Sequence, residues 1–88
     1  MREVELERQL KILANRRRLA ILNLLRKKKE AGVSTISEAI RLSLTSTSKH
    51  LTMLERGGFL EKEQRGLEVY YRIAEEPPPI YLAVSAMF

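Results

Sequence analysis

The amino-acid sequence predicts a mainly α fold with a small β-hairpin, and three observations predict it. Leu6, Leu10 and Leu13, then Leu19, Leu22 and Leu25, then Thr47, Leu51 and Leu54 recur at helical spacing, each set marking one inner helical face. Between Val33 and Gly58 a short helical pattern, a turn and a second helical pattern follow one another. Beyond that glycine the period falls to two, through Leu67, Val69, Tyr71 and Ile73. The chain's 88 residues, 44% hydrophobic and 31% charged, suit one small domain. A domain of this size buries little more than ~60% of its unfolded surface, so association with a second copy is an expected supplement.

The bulk chemistry excludes several classes. A net charge of +5 and a pI near 9.9 favour polyanionic partners. The absence of cysteine rules out disulfides, a thiolate metal site and a cysteine nucleophile. No run approaches the ~18 apolar residues of a membrane span, and no signal-peptide pattern opens the chain, so the expectation is a cytoplasmic protein without membrane contact. There is no nucleophile–base pair, no phosphate-cradling glycine loop and no metal constellation. No enzyme activity, catalytic residue, metal site or cofactor is expected.

Met1 to Ala14 reads as an amphipathic helix, with Glu3, Glu5 and Glu7 in its first turns and Glu7–Lys11 at the favourable i, i+4 spacing. Its apolar stripe has two readings. Either it lies on the core with a solvated outer face, or Val4, Leu6 and Leu10 meet a second copy. Asn15 is placed to cap the next helix, Arg16 to about Lys28, whose Leu19, Leu22 and Leu25 face inward with Ile21 and Leu24 beside them. Arg16, Arg17 and Arg18 crowd its first turn, where the helix dipole disfavours cations. They are either solvated charges or phosphate contacts, with Arg16 and Arg17 the candidates. Glu30-Ala31-Gly32 is expected to turn the chain.

Val33 to Ile40 forms the next short helix, with Thr35 and Glu38 at capping-box spacing, Ser34 as an alternative cap, and Ile36, Ala39 and Ile40 pointing inward. Leu42 is the buried turn residue. Arg41 occupies the turn where glycine would be easier if φ is positive, and Ser43 caps the helix that follows. Opposite the inner face of that helix stand Thr45, Ser46, Ser48, Lys49 and Thr52, small, hydroxyl-bearing or cationic. Such a face can lie in a DNA major groove, with hydroxyls and amines reaching phosphates and base edges. Leu44 either packs on the turn or touches thymine methyl groups. His50, the single histidine, is assigned to phosphate contact or local packing.

Gly57-Gly58 closes the helix through a left-handed cap, and Phe59-Leu60 returns the chain to the core. A strand pair follows around an Arg65-Gly66 turn, with Lys62, Arg65 and Arg72 adding positive charge. As a wing, the hairpin would offer Arg65 to the minor groove or a phosphate; the alternative is a solvated edge. Residues 1–76 thus form one domain, and residues 77–88 a proline spacer with an apolar tail. That tail is expected to bury Ile80, Tyr81, Val84, Met87 and Phe88 on the first helix or in a dimer interface.

From roughly Leu10 to Ile73 these residues resemble the ArsR/SmtB winged helix-turn-helix repressors. Leu13-Ala14-Asn15-Arg16-Arg17-Arg18-Leu19-Ala20-Ile21-Leu22 is similar to that family's opening, and Ser46-Thr47-Ser48-Lys49-His50-Leu51 through Gly57-Gly58-Phe59-Leu60 to its recognition helix. The resemblance implies a homodimer that binds an inverted repeat in double-stranded DNA and represses transcription. It assigns DNA reading to Leu44, Thr45, Ser46, Ser48, Lys49 and His50, with Arg65 on the wing. Val33 to Glu38 lacks the cysteine pair of metal-sensing members, and the tail lacks histidine and carboxylate side chains, so metal sensing is not expected. The residues name no small-molecule effector. A winged-helix module that binds protein within a larger complex is the second reading. The hydroxyl-rich face argues against it, because protein-binding helices carry large apolar anchors there.

Overall fold

Asn15 stops one helix and starts another. Its side-chain oxygen accepts the backbone N–H groups of Arg17 at 2.9 Å and Arg18 at 3.1 Å, satisfying two donors that the helix itself leaves unpaired. The computed structural model describes residues 1–88, and in it this cap separates α1 (Arg2–Leu13) from α2 (Arg16–Lys28). Helix α2 is central: Ile21, Leu22 and Leu25 are sealed from solvent, with Leu19 and Leu24 packed at the margin. Then come β1 (Glu30–Gly32), α3 (Val33–Ile40), α4 (Leu44–Arg56), β2 (Leu60–Arg65), β3 (Glu68–Ile73) and α5 (Ile80–Ser85). The class is the expected mainly α winged helix-turn-helix, with five helices and with a third strand added to the wing.

That strand replaces the expected turn at Glu30-Ala31-Gly32. It runs antiparallel to β3, with Glu30 opposite Arg72 and Gly32 opposite Tyr70, and the sheet order is β1-β3-β2. Three residues show no alternation to read; a partner about 40 residues away makes them a strand.

The strand also changes how α3 begins. Its N-cap is Gly32, not Thr35 or Ser34, and no side chain of the cap residue accepts a bond. The acceptor comes from the wing: the Glu68 carboxylate takes the Ser34 N–H at 2.9 Å and the Ser34 hydroxyl as well. A Cβ at Gly32 would sit 2.6 Å from the Glu68 carboxyl carbon, so glycine is what lets that side chain cross. The inner face of α3 is rotated from the expected one. Ile36 and Ser37 are buried while Ala39 is exposed, and the Ser37 hydroxyl is paired with the Ser34 carbonyl at 3.0 Å. Leu42 is only half-buried. Arg41 does adopt the left-handed conformation, φ 55° and ψ 54°, that its place in the turn suggested.

Ser43 caps α4 by accepting the Ser46 N–H at 3.1 Å. Thr47, Leu51 and Leu54 have 0% exposure, facing α2, α3 and β2. At the far end Gly58, φ +84°, takes the left-handed position, while Gly57 stays helical. The Gly58 N–H reaches the Glu55 carbonyl and the Phe59 N–H the Leu54 carbonyl, both at 3.0 Å, which is a Schellman closure. Phe59 and Leu60 drop into the core. The hairpin turn lies one residue later than expected, at Gly66-Leu67, because Arg65 pairs with Glu68 as the last rung of the ladder. Tyr71 is buried and Val69 and Ile73 pack beside the core, but Leu67 stands fully exposed at the tip. The tail forms α5 against α1 and α2, its Tyr81 buried in the core.

The Thr47 hydroxyl oxygen is buried with no hydrogen-bond partner. An unpaired buried hydroxyl costs roughly 1–3 kcal/mol, so Thr47→Val is expected to stabilise the fold by about 1 kcal/mol in urea denaturation. A destabilised variant would mean that the hydroxyl is satisfied. Glu68 gives a second prediction. The Ser34 hydroxyl, and then its N–H, hold the Glu68 carboxyl below its usual range. A depressed carboxylate contributes stability above the ordinary pKa of about 4.3 and loses it as pH falls through the lower folded value. Glu68→Gln should therefore flatten the acid side of the stability-against-pH curve, measured by thermal denaturation. Superimposed curves for variant and wild type would show the cap to be absent.

Candidate nucleic-acid interface

Because one side of α4 is sealed, its other side is fixed outward. Thr45, Ser48, Lys49, Thr52, Met53 and Arg56 line one open shelf along it. Met53 and Arg56 join the residues expected from the sequence, and their signal lies in the spacing: starting at Thr45, these positions follow i, i+3, i+4, i+7, i+8 and i+11. Ser46 is half-buried and its N–H is held by Ser43. Leu44 is exposed and turned toward the wing, where with Val33, Ser34, Ser48, Leu67 and Val69 it lines a separate groove.

The three arginines that open α2 go to three different places. Arg16 is exposed. Arg17 donates to the carbonyls of Ile40 at 2.7 Å and Arg41 at 3.3 Å, closing the C-terminus of α3. Arg18 is only 9% exposed and has no carboxylate partner. It donates to the Ile12 carbonyl at 2.5 Å, the Lys11 carbonyl at 3.4 Å, Met53 Sδ at 3.4 Å and His50 Nδ1 at 3.1 Å. His50 is thus half-buried beside a cation, and burial, followed by repulsion from Arg18 and Arg17, lowers its pKa below the ordinary histidine value. Nothing in the sequence separated Arg18 from its two neighbours except its helical phase: it lies three residues before Ile21 and four before Leu22.

On the wing, Arg65 is not a free cation. Its guanidinium is held in a fork by Glu30 at 2.7 and 2.8 Å, reaches Glu63 at 3.1 Å, and stacks 4.5 Å from the centre of the Tyr70 ring. Those carboxylates hold the guanidinium above its usual pKa. Arg72 is paired with Glu61 at 3.4 Å and Glu63 at 3.3 Å. Lys62 is the exposed wing cation outside these ion pairs.

A second surface lies away from α4. Val4, Leu6 and Leu10 are exposed on α1. Leu10 also joins Leu13, Leu19, Val84, Met87 and Phe88 in a wholly apolar groove of about 420 Å³ between α1, α2 and α5. Met87 and Phe88 keep exposed surface, with the Arg26 guanidinium 5.8 Å above the Phe88 ring. Ile80 and Val84 are partly buried against the chain's own core, and Tyr81 belongs to that core. No three His, Cys, Asp or Glu side chains are grouped to hold a metal ion, and no helix is long and apolar enough to cross a membrane.

Comparison with known proteins follows the same outline. A family model for the IclR helix-turn-helix domain matches residues 16–64, which run from the start of α2 into β2. The HTH-type transcriptional regulator Rv0324 of Mycobacterium tuberculosis is 46% identical over 66 residues, covering 75% of this chain and 29% of its own length. The transcriptional repressor PagR of Bacillus anthracis is 39% identical over 64 residues, covering 73% and 64%. The chain therefore spans less than two thirds of either relative. Among solved structures, the homodimeric winged helix-turn-helix DNA-binding domain of Mb0332 from Mycobacterium bovis, a possible ArsR-family transcriptional regulator, superimposes with a TM-score of 0.77. It is 37% identical, over 94% of this chain and 73% of that one.

Proposed function

The chain belongs to the winged helix-turn-helix transcriptional regulators of the ArsR type, and on that premise we propose that it is a homodimeric repressor binding an inverted repeat in double-stranded DNA. The observation that carries this reading is the outward stripe of α4, where Thr45, Ser48, Lys49, Thr52 and Arg56 follow one another without an acidic residue. Hydroxyls and cations in a row match phosphate oxygens and base edges along a groove. The action is non-catalytic. Two copies of α4, about one helical turn of DNA apart (~34 Å), would enter successive major grooves. The homodimeric state of the Mb0332 domain supports two copies, and the apolar groove at α1 and α5 offers a surface for the contact. PagR's description as a repressor supports repression over activation. On this reading the protein works in the cytoplasm and senses no metal, since Val33 to Glu38 offers no thiol.

The wing contributes differently from a flexible cationic arm. Arg65 is already neutralised by Glu30 and Glu63, so it meets DNA by exchanging one anion for another. Lys49 has no such partner and binds phosphate at full charge.

The test is an anisotropy titration against duplexes enriched from a random pool, repeated at several salt concentrations. An inverted repeat should emerge, bound at least about a thousandfold more tightly than scrambled DNA. Lys49→Ala should weaken binding about tenfold and lower the salt slope by about one unit. Arg65→Ala should also weaken binding, since it leaves two carboxylates unpaired on the wing. If no repeat is enriched, or if Lys49→Ala binds like wild type at every salt concentration, the reading fails.

A further inference from the structure

We propose that Arg18 is a positioning residue for DNA readout: it holds the His50 ring as the neutral tautomer whose outward Nε2–H donates to an acceptor on DNA. A guanidinium has only N–H groups to offer, so the 3.1 Å approach of Arg18 Nη1 to His50 Nδ1 requires that Nδ1 be the acceptor. The proton of the neutral ring is then on Nε2. A doubly protonated ring would set one N–H against another at that distance.

Arg18 cannot follow the ring away. Its Nε is fixed on the Ile12 carbonyl and its Nη2 faces the Lys11 carbonyl, both at the C-terminal end of α1. The same Nη1 touches Met53 Sδ, one turn along α4 from Lys49. The side chain is a strut between the end of α1 and the outer shoulder of α4, and the histidine is its contact point.

Nε2, by contrast, has no partner within the fold, and it is not sealed in: the one buried unpartnered side-chain polar atom is Thr47 Oγ1. His50 lies one turn before Met53, and the same Arg18 nitrogen touches both, so this donor sits beside the Met53 edge of the α4 stripe. Burial and the two nearby arginines disfavour a positive ring. His50 therefore gives DNA a fixed, uncharged donor where the sequence suggested a cation. An uncharged donor displaces no condensed counterion, so it adds affinity without adding salt dependence.

The role of Nε2 rests on the DNA-binding reading; the tautomer is a property of the free protein, and the experiment separates them. Long-range nitrogen–proton NMR of the unbound wild-type chain at neutral pH should show a bare Nδ1 and a protonated Nε2. Arg18→Met, which keeps the length and loses the donors, should release the tautomer bias. Should that variant fail to fold, the wild-type spectrum decides alone. A ring protonated at Nδ1, or charged at neutral pH, overturns the proposal.

With the enriched duplex, His50→Ala should raise Kd about tenfold, as expected for one hydrogen bond, with an unchanged salt slope. His50→Gln, whose amide nitrogen takes the place of Nε2, should stay within about threefold of wild type. A loss that is uniform across sequences identifies a phosphate acceptor, and one confined to the enriched repeat identifies a base. His50→Ala binding like wild type, or a slope reduced by about one unit, overturns the proposal while leaving DNA binding intact. A wild-type chain that binds no duplex overturns the DNA reading and the role of Nε2 together, and the tautomer measurement still reports what Arg18 does.

Discussion

Thr47, Leu51 and Leu54 meet α2, α3 and β2 with no exposed surface, and this contact sets the rotation of α4 about its axis. A helix has 3.6 residues per turn, so fixing three inner positions fixes every outer one. Lys49 and Arg56 face solvent because Leu51 and Leu54 cannot. The cap at Ser43 and the closure at Gly58 then fix where the helix begins and ends. Everything attributed to the outer stripe depends on that one seam, including its reach toward a groove and its separation from the apolar surface at α1 and α5.

The positive charge of the chain is less available than its sum suggests. Arg17 and Arg18 spend their donors on carbonyls at the ends of α3 and α1, while Arg65 and Arg72 are held by Glu30, Glu61 and Glu63. These four arginines are struts and rungs. The wing is bound to the rest of the domain in the same manner, by Glu68 on the start of α3 and by β1 beside β3. A hairpin tied at both places is braced against the helix-turn-helix. The cations left for a polyanion are the isolated ones, such as Lys49, Arg56, Arg16 and Lys62.

Local chemistry was legible in the sequence and long-range pairing was not. Asn15, Ser43, Arg41 and the glycine pair announced their helix ends because a cap acts within three or four residues. The inner faces of α2 and α4 were read from leucine spacing alone. Strand β1 is not legible locally because its partner lies on the other side of α3 and α4. The start of α3 is hidden from the sequence for the same reason: its acceptor, Glu68, comes from the wing. Arg65 reads as a free tip cation until the register puts Glu30 and Glu63 beside it. Ala39 and Ser37 exchanged places because eight residues are too few for apolar spacing to fix a helix's rotation.

Strand β2 forms one border of the sheet, and its outer row of peptide groups has no neighbouring strand. Such a border invites another chain to add itself. Along it run Glu61, Lys62, Glu63, Gln64 and Arg65, with Lys62 to Arg65 all exposed. A second copy laid alongside in parallel register would set glutamate on glutamate and lysine on lysine, an arrangement that like-charge repulsion disfavours. The order of its charges thus disfavours the stacking of identical strands in parallel register, whereas an antiparallel copy would set Glu61 against Arg65.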